Sequence, residues 1–165
     1  MSVSLSKSTY EVLNKQITEE LASYYLYLGM ASALSKMGMP GCANWMRVQA
    51  EEEQTHAMKI YEHIEKRGEQ VKLLPIAAPE ANWETPVAIF EEMKKHEELV
   101  TSLINSIYET AISEKDYATM NFIQWFIEEQ VEEEDTACAL LDKIKRLQNC
   151  ETGMALFDAE LGKRK

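Results

Sequence analysis

The chain has 165 residues, of which 45% are hydrophobic and 27% charged, and its formal net charge is −11. This length can bury a sizeable core in one domain over residues 1–165. The negative charge argues against a nucleic-acid partner and favours the attraction of cations. With three cysteines, no CxxC pair, no signal peptide and no membrane span, we expect a cytoplasmic protein with no membrane partner.

The first half of the chain predicts two amphipathic helices. Apolar residues step by three and four positions over about 6–36 and again over roughly 40–67. Pro40 suits the first turn of the second helix. One carboxylate interrupts each apolar stripe, namely Glu20 in the first helix and Glu53 in the second.

A long loop is predicted over 69–85, where two prolines occur and no clean period is visible. A helix of about 27 residues is about 40 Å long. A loop of about 17 extended residues reaches about 56 Å, which is enough to run the length of such a helix. The loop can therefore act as a crossover between two parallel helices.

The second half predicts two more long helices, over 86–112 and 115–149, and a short one over 152–161. Glu97 interrupts the third stripe, and Gln130 and Glu133 interrupt the fourth. The predicted fold is all-α, an antiparallel four-helix bundle with one long crossover and a short fifth C-terminal helix.

The interrupting carboxylates suggest a metal site. A single glutamate on such a stripe is often explained by a place at the bundle end or by a Lys or Arg partner. Here Glu20, Glu53, Glu97 and Glu133 each lie near the middle of a different helix, and no stripe contains Lys or Arg. Because burying an unpaired carboxylate costs several kcal/mol, the four must be protonated or must hold cations.

His56 favours the second explanation, bound cations. It follows Glu53 by three residues and so projects from the same helix face. A lone histidine beside an apolar face is usually only hydrogen-bonded, but next to a carboxylate cluster ligation is the better interpretation. Carboxylates with one imidazole suit a redox-capable divalent metal such as iron(II).

Four further residues leave two interpretations open. Tyr27 lies two turns beyond Glu20 and is either a buried tyrosine with a satisfied hydroxyl or a donor of a hydrogen bond or an electron. Glu52, Glu129 and Glu132 are either a solvated charged face or, if the second and fourth helices are neighbours, an outer metal site.

The chain resembles the non-haem ferritins of bacteria and archaea over essentially its whole length. The resemblance rests on a Glu, an ExxH, a Glu and a QxxE in this order on four helices. They occur in NKQITEELASYYLYLGMAS (14–32), NWMRVQAEEEQTHAMKIYEHI (44–64), KKHEELVTSL (94–103) and NFIQWFIEEQVEEEDTA (121–137).

This resemblance implies a di-iron ferroxidase centre. Glu20 and His56 would hold one iron, Glu53 would bridge, and Glu97 would hold the second iron with Glu133 nearby. The family oxidises Fe(II) with dioxygen or hydrogen peroxide and stores ferric mineral in a homo-oligomeric shell of twenty-four subunits.

The resemblance also implies roles around that centre. Gln130 would lie beside the oxygen-binding position and Tyr27 next to the centre, while Glu52, Glu129 and Glu132 would form a third iron site. No haem is expected, because glutamine occupies position 54, where bacterioferritins have the haem-ligating methionine.

Two other functions remain open at this point. One is a metal-stabilised oligomeric bundle without redox turnover, and the other is a di-iron oxidase that acts on a different substrate.

Overall fold

The structure of the protein, a computed structural model, describes residues 4–165. Its helices are α1 (Lys7–Lys36), α2 (Pro40–Lys66), α3 (Pro86–Ser113), α4 (Tyr117–Leu147) and α5 (Glu151–Leu161). Helix α1 packs against α2 and α3, α3 packs against α4, and α5 contacts both α2 and α4. The predicted fold class, a helical bundle with a short C-terminal helix, is confirmed. None of the helices in the described residues is long and apolar enough to cross a membrane.

The helix ends follow local capping chemistry. Thr85 caps α3, because its hydroxyl accepts a hydrogen bond from the amide of Ala88 at 3.2 Å. Helix α4 begins two residues later than expected. Lys115 adopts a left-handed φ of 56°, and Asp116 caps the helix by accepting a bond from the amide of Thr119 at 3.1 Å.

The core consists of two apolar clusters with a polar layer between them. Each of the four long helices contributes one segment to the first cluster and another segment to the second. The polar residues that interrupt the apolar stripes lie between these two segments. The first cluster includes Leu34, Met46 and Phe90. In α4, Leu141 is buried in this cluster, and its neighbour Leu140 is partly buried and packs against it.

A carboxylate of α5 caps the start of α2. Asp158 accepts hydrogen bonds from the amides of Gly41 at 3.1 Å and Cys42 at 2.8 Å. Met39, the N-cap of α2, supplies no capping bond of its own. A Cβ on Gly41 would lie 1.8 Å from the carbonyl oxygen of Asp158, so this close approach requires glycine.

Candidate metal centre

The polar layer brings Glu20, Glu53 and His56 together. The Nδ1 atom of His56 lies 3.4 Å from Glu53 Oε2 and 3.9 Å from Glu20 Oε2. Glu53 and His56 share one face of α2 because they are three residues apart, and the packing of α1 on α2 adds Glu20. Each has one ligand atom within 4.8 Å of those of the other two, and all three residues are buried.

Two glutamines that the sequence analysis did not single out hold these carboxylates. Gln16 donates from Nε2 to Glu20 Oε1 at 2.9 Å, and Gln49 donates from Nε2 to Glu53 Oε1 at 3.0 Å. In both helices the glutamine precedes its glutamate by four residues, a spacing that places the side chains on one helix face. The repeated Gln-x-x-x-Glu pattern was therefore the signal available in the sequence.

Glu97 enters the layer from α3 and has different neighbours. It accepts hydrogen bonds from the Tyr27 hydroxyl and, at 3.3 Å, from Gln130 Nε2. The same Gln130 nitrogen lies 3.2 Å from the hydroxyl of Thr101. Glu97 thus lies in the same layer, but its carboxylate oxygens are not part of the group of ligand atoms formed by Glu20, Glu53 and His56. Tyr27 is buried, and its hydroxyl donates a hydrogen bond to Glu97.

Glu133 belongs to a second convergent group. Its side chain accepts a hydrogen bond from Gln49 at 3.0 Å, and it forms a possible metal-holding set with His56 and Glu129. Glu52, Glu129 and Glu132 line one pocket of about 300 Å³ next to this group. The side chains of α2 and α4 therefore do meet there, as the interpretation of an outer site requires. We call this pocket the outer site.

Burial and mutual repulsion set the protonation of the layer. Burial, with the charge of Glu53, raises the pKa of Glu97 to about 8 and that of Glu133 to about 7. The same two causes raise the pKa of Glu20. Burial alone would lower the pKa of His56, but its hydrogen bond to Glu53 and the nearby carboxylates outweigh burial and raise it to about 9. Burial opposes ionisation of Glu53 too, yet its bond with His56 lowers its pKa.

The residues present fit a bound cation. Glu20 Oε2 is buried and has no hydrogen-bond partner among the described residues, which is a costly state for a carboxylate oxygen. A cation between this oxygen, Glu53 and His56 would satisfy it. Several carboxylates and one imidazole are also the ligands that suit iron(II).

Known proteins with similar sequences place the chain in a family. A family model described as the ferritin-like domain matches residues 10–147, so the chain belongs to the ferritin-like family. Within that family it is similar to the bacterial non-heme ferritin of Bacteroides fragilis, with 38% identity over 160 residues, 97% of this chain and 99% of that protein. The predicted resemblance to non-haem prokaryotic ferritins is thereby confirmed.

Further relatives support the same assignment. The bacterial non-heme ferritin of Campylobacter jejuni is 34% identical over 154 residues, covering 93% of this chain and 92% of that protein. An open-pore ferritin from the hyperthermophilic archaeon Archaeoglobus fulgidus superposes with a TM-score of 0.96 at 42% identity. That match covers 98% of this chain and 100% of the archaeal one.

Proposed function

We propose that the protein stores iron and oxidises Fe(II) to Fe(III) at the buried polar layer. The observation that carries this proposal is the convergence of Glu20, Glu53 and His56 around a buried carboxylate oxygen that has no hydrogen-bond partner within residues 4–165. The names of the bacterial and archaeal relatives support iron as the metal.

The proposed ligand roles follow from the neighbours of each side chain. Glu20 and His56 hold one iron, and Glu53, which faces both of them, bridges to a second. Glu97 and Glu133 hold the second iron. Because Glu97 is bonded to Tyr27 and Gln130 in the metal-free protein, it exchanges these hydrogen bonds for the metal when iron binds.

The chemistry is a two-electron reaction of two Fe(II) ions. Each ion gives one electron, so a pair reduces dioxygen with two protons to hydrogen peroxide, or hydrogen peroxide with two protons to two waters. The carboxylates favour the product because their negative charge stabilises Fe(III) more than Fe(II). Gln130 borders the position of the oxidant, and the Tyr27 hydroxyl lies beside Glu97.

Storage requires a route away from the centre and a place to store the product. We propose that Glu52, Glu129 and Glu132 receive iron at the outer site next to the centre. We further propose that copies of the chain assemble in the cytoplasm into a hollow shell of twenty-four subunits that contains the ferric mineral.

Rapid mixing of the assembled protein with Fe(II) in air tests the proposal. Wild type should give a fast transient absorbance that Glu53→Ala and His56→Ala remove. Glu51→Ala is the matched control, because Glu51 lies two residues before Glu53 in α2 but is exposed. This variant should oxidise iron like wild type. Oxidation at the wild-type rate in both site variants would show that the centre lies elsewhere.

An anaerobic titration separates this function from a metal-stabilised structural bundle. Fe(II) is first bound without oxygen and its stoichiometry measured, and air is then admitted. A ferroxidase oxidises the bound iron rapidly. A bundle that binds Fe(II) at the layer but leaves it reduced in air would contradict the proposed activity while preserving the metal site.

A further inference from the structure

The residues after α5 return to the metal centre. The carbonyl of Arg164 accepts a hydrogen bond from Asn44 Nδ2 at 2.9 Å, which ties the tail to α2. Its guanidinium donates to Glu52 Oε2 at 2.6 Å and to Gln49 Oε1 at 2.9 Å. The guanidinium carbon also lies 4.2 Å from the ring centre of Trp45. These contacts hold the arginine in one position.

That position is within the outer site. Arg164 lines the pocket of about 300 Å³ together with Glu52, Glu129 and Glu132. A group of carboxylates at one place repels itself unless a cation is present, and the guanidinium is such a cation. Gln49, which is fully buried, turns its oxygen towards Arg164 and its nitrogen towards the carboxylates of the layer.

We propose that Arg164 is a tethered cation that fills the outer site in the metal-free protein and competes with metal ions for Glu52. This inference rests on the proposed function of the outer site. A metal ion that binds Glu52 there competes with the guanidinium, because Arg164 already neutralises this carboxylate through a hydrogen bond to Oε2. The tail therefore lowers the affinity of the outer site and leaves the buried layer as the tighter site.

Calorimetric titration of the assembled protein with Mn(II) tests this competition, because carboxylate oxygens are suitable ligands for this ion. The outer-site event is defined as the binding step that Glu52→Gln removes. Arg164→Ala should tighten that step roughly tenfold, which corresponds to loss of the two hydrogen bonds that the charged guanidinium donates, discounted for partial exposure. Arg164→Lys should tighten it less, because lysine keeps the charge but loses the forked geometry.

Lys163→Ala is the matched control. It removes the same charge from the adjacent residue, which is exposed and does not line the pocket. It should leave the outer-site step unchanged, and so exclude a general effect of net charge. Melting temperatures of the metal-free variants show whether each protein is folded.

Three results distinguish this inference from the proposed function. Tighter outer-site binding in Arg164→Ala supports the competition. Unchanged or weaker binding in a folded Arg164→Ala protein overturns it. The absence of any Glu52-dependent step in both wild type and Arg164→Ala also overturns it. The di-iron centre is tested separately, by metal binding at the buried layer and by the loss of that binding in Glu53→Ala.

Discussion

Gln49 Nε2 lies 3.0 Å from Glu133 Oε2, and this hydrogen bond joins α2 to α4 across the bundle. The backbone of α2 itself packs against α1 and α5. The same nitrogen donates to Glu53, also at 3.0 Å. One buried amide therefore holds a carboxylate of its own helix and another from the opposite helix, and it spaces the two negative groups.

Removal of this amide should destabilise the metal-free protein. Gln49→Leu keeps the approximate volume but leaves two buried carboxylates short of a donor, which we expect to lower the free energy of unfolding by about 1–3 kcal/mol. Denaturant-induced unfolding in the presence of a chelator measures this. Gln54→Leu, at an exposed position of the same helix, should have little effect. Equal stability of the two variants would contradict the role of Gln49.

Metal binding should release protons near neutral pH. The raised pKa values of Glu97 (about 8), Glu133 (about 7) and His56 (about 9) mean that Glu97 and His56 are protonated, and Glu133 mostly so, at about pH 6.5. Ligands must lose their protons to bind a metal, so affinity for Mn(II) should rise as the pH rises from about 6.5 to 9.

Calorimetry in buffers of different ionisation enthalpy counts these protons. We expect about two protons or more to be released per chain at about pH 6.5, and fewer at about pH 9. Glu53→Ala, which removes the proposed bridging ligand, should abolish most of the release. A binding heat that does not depend on the buffer would show that the layer is already deprotonated.

His63 should make the stability of the protein sensitive to acid. Its ring stacks on Phe122 at 3.9 Å, and burial, together with the charge of Arg67, lowers its pKa to about 4. Lys66 lowers this pKa further, whereas Asp116 opposes the shift. Between about pH 6.5 and pH 4 the unfolded chain binds a proton at this histidine and the folded chain does not, so stability falls as the pH falls.

The loss from His63 should be about 1–2 kcal/mol, because solvent screening reduces the effect at a partly exposed ring. His63→Phe keeps the stacking and removes the titration. Its free energy of unfolding should therefore decline less than that of wild type over this pH range, as measured by denaturant-induced unfolding at several pH values. Parallel pH profiles of the two proteins would assign the acid sensitivity to other groups.

Gly41→Ala should displace α5. The added Cβ would clash with the backbone carbonyl of Asp158, which has no rotamer with which to move away, so a loss of about 1–3 kcal/mol or more is expected. Hydrogen exchange of the amides of Gly41 and Cys42, which the Asp158 carboxylate now binds, should accelerate.

A second glycine provides the control with the opposite sign. Gly29 lies inside α1, and a Cβ there would meet its nearest atom, in Pro79, at an ordinary 3.8 Å. Gly29→Ala should therefore keep or raise stability by about 0.5–1 kcal/mol, since alanine favours the helix. Equal destabilisation by both substitutions would show that the contact between Gly41 and Asp158 does not decide how α5 docks.

The helical periodicity in the sequence was sufficient to predict the fold class and the helix faces that carry Glu20, Glu53, Glu97 and Glu133. A residue's place on a helix is a local property, which three- and four-residue steps determine. The pairing of His56 with Glu53 has the same local origin, and the bonds from Gln16 and Gln49 could have been found by the same rule.

Contacts between helices depended on the tertiary structure. The bond from Gln49 to Glu133 spans 84 residues and the bond from Arg164 to Glu52 spans 112. The hydrogen bond from the Tyr27 hydroxyl to Glu97 also joins two helices, α1 and α3. Periodicity determines which way a side chain leaves its helix, but the rotation and height at which two helices pack decide which atoms come within hydrogen-bonding distance. The sequence by itself therefore determined a layer of buried carboxylates, and only the packing of the helices decided which partner each carboxylate has.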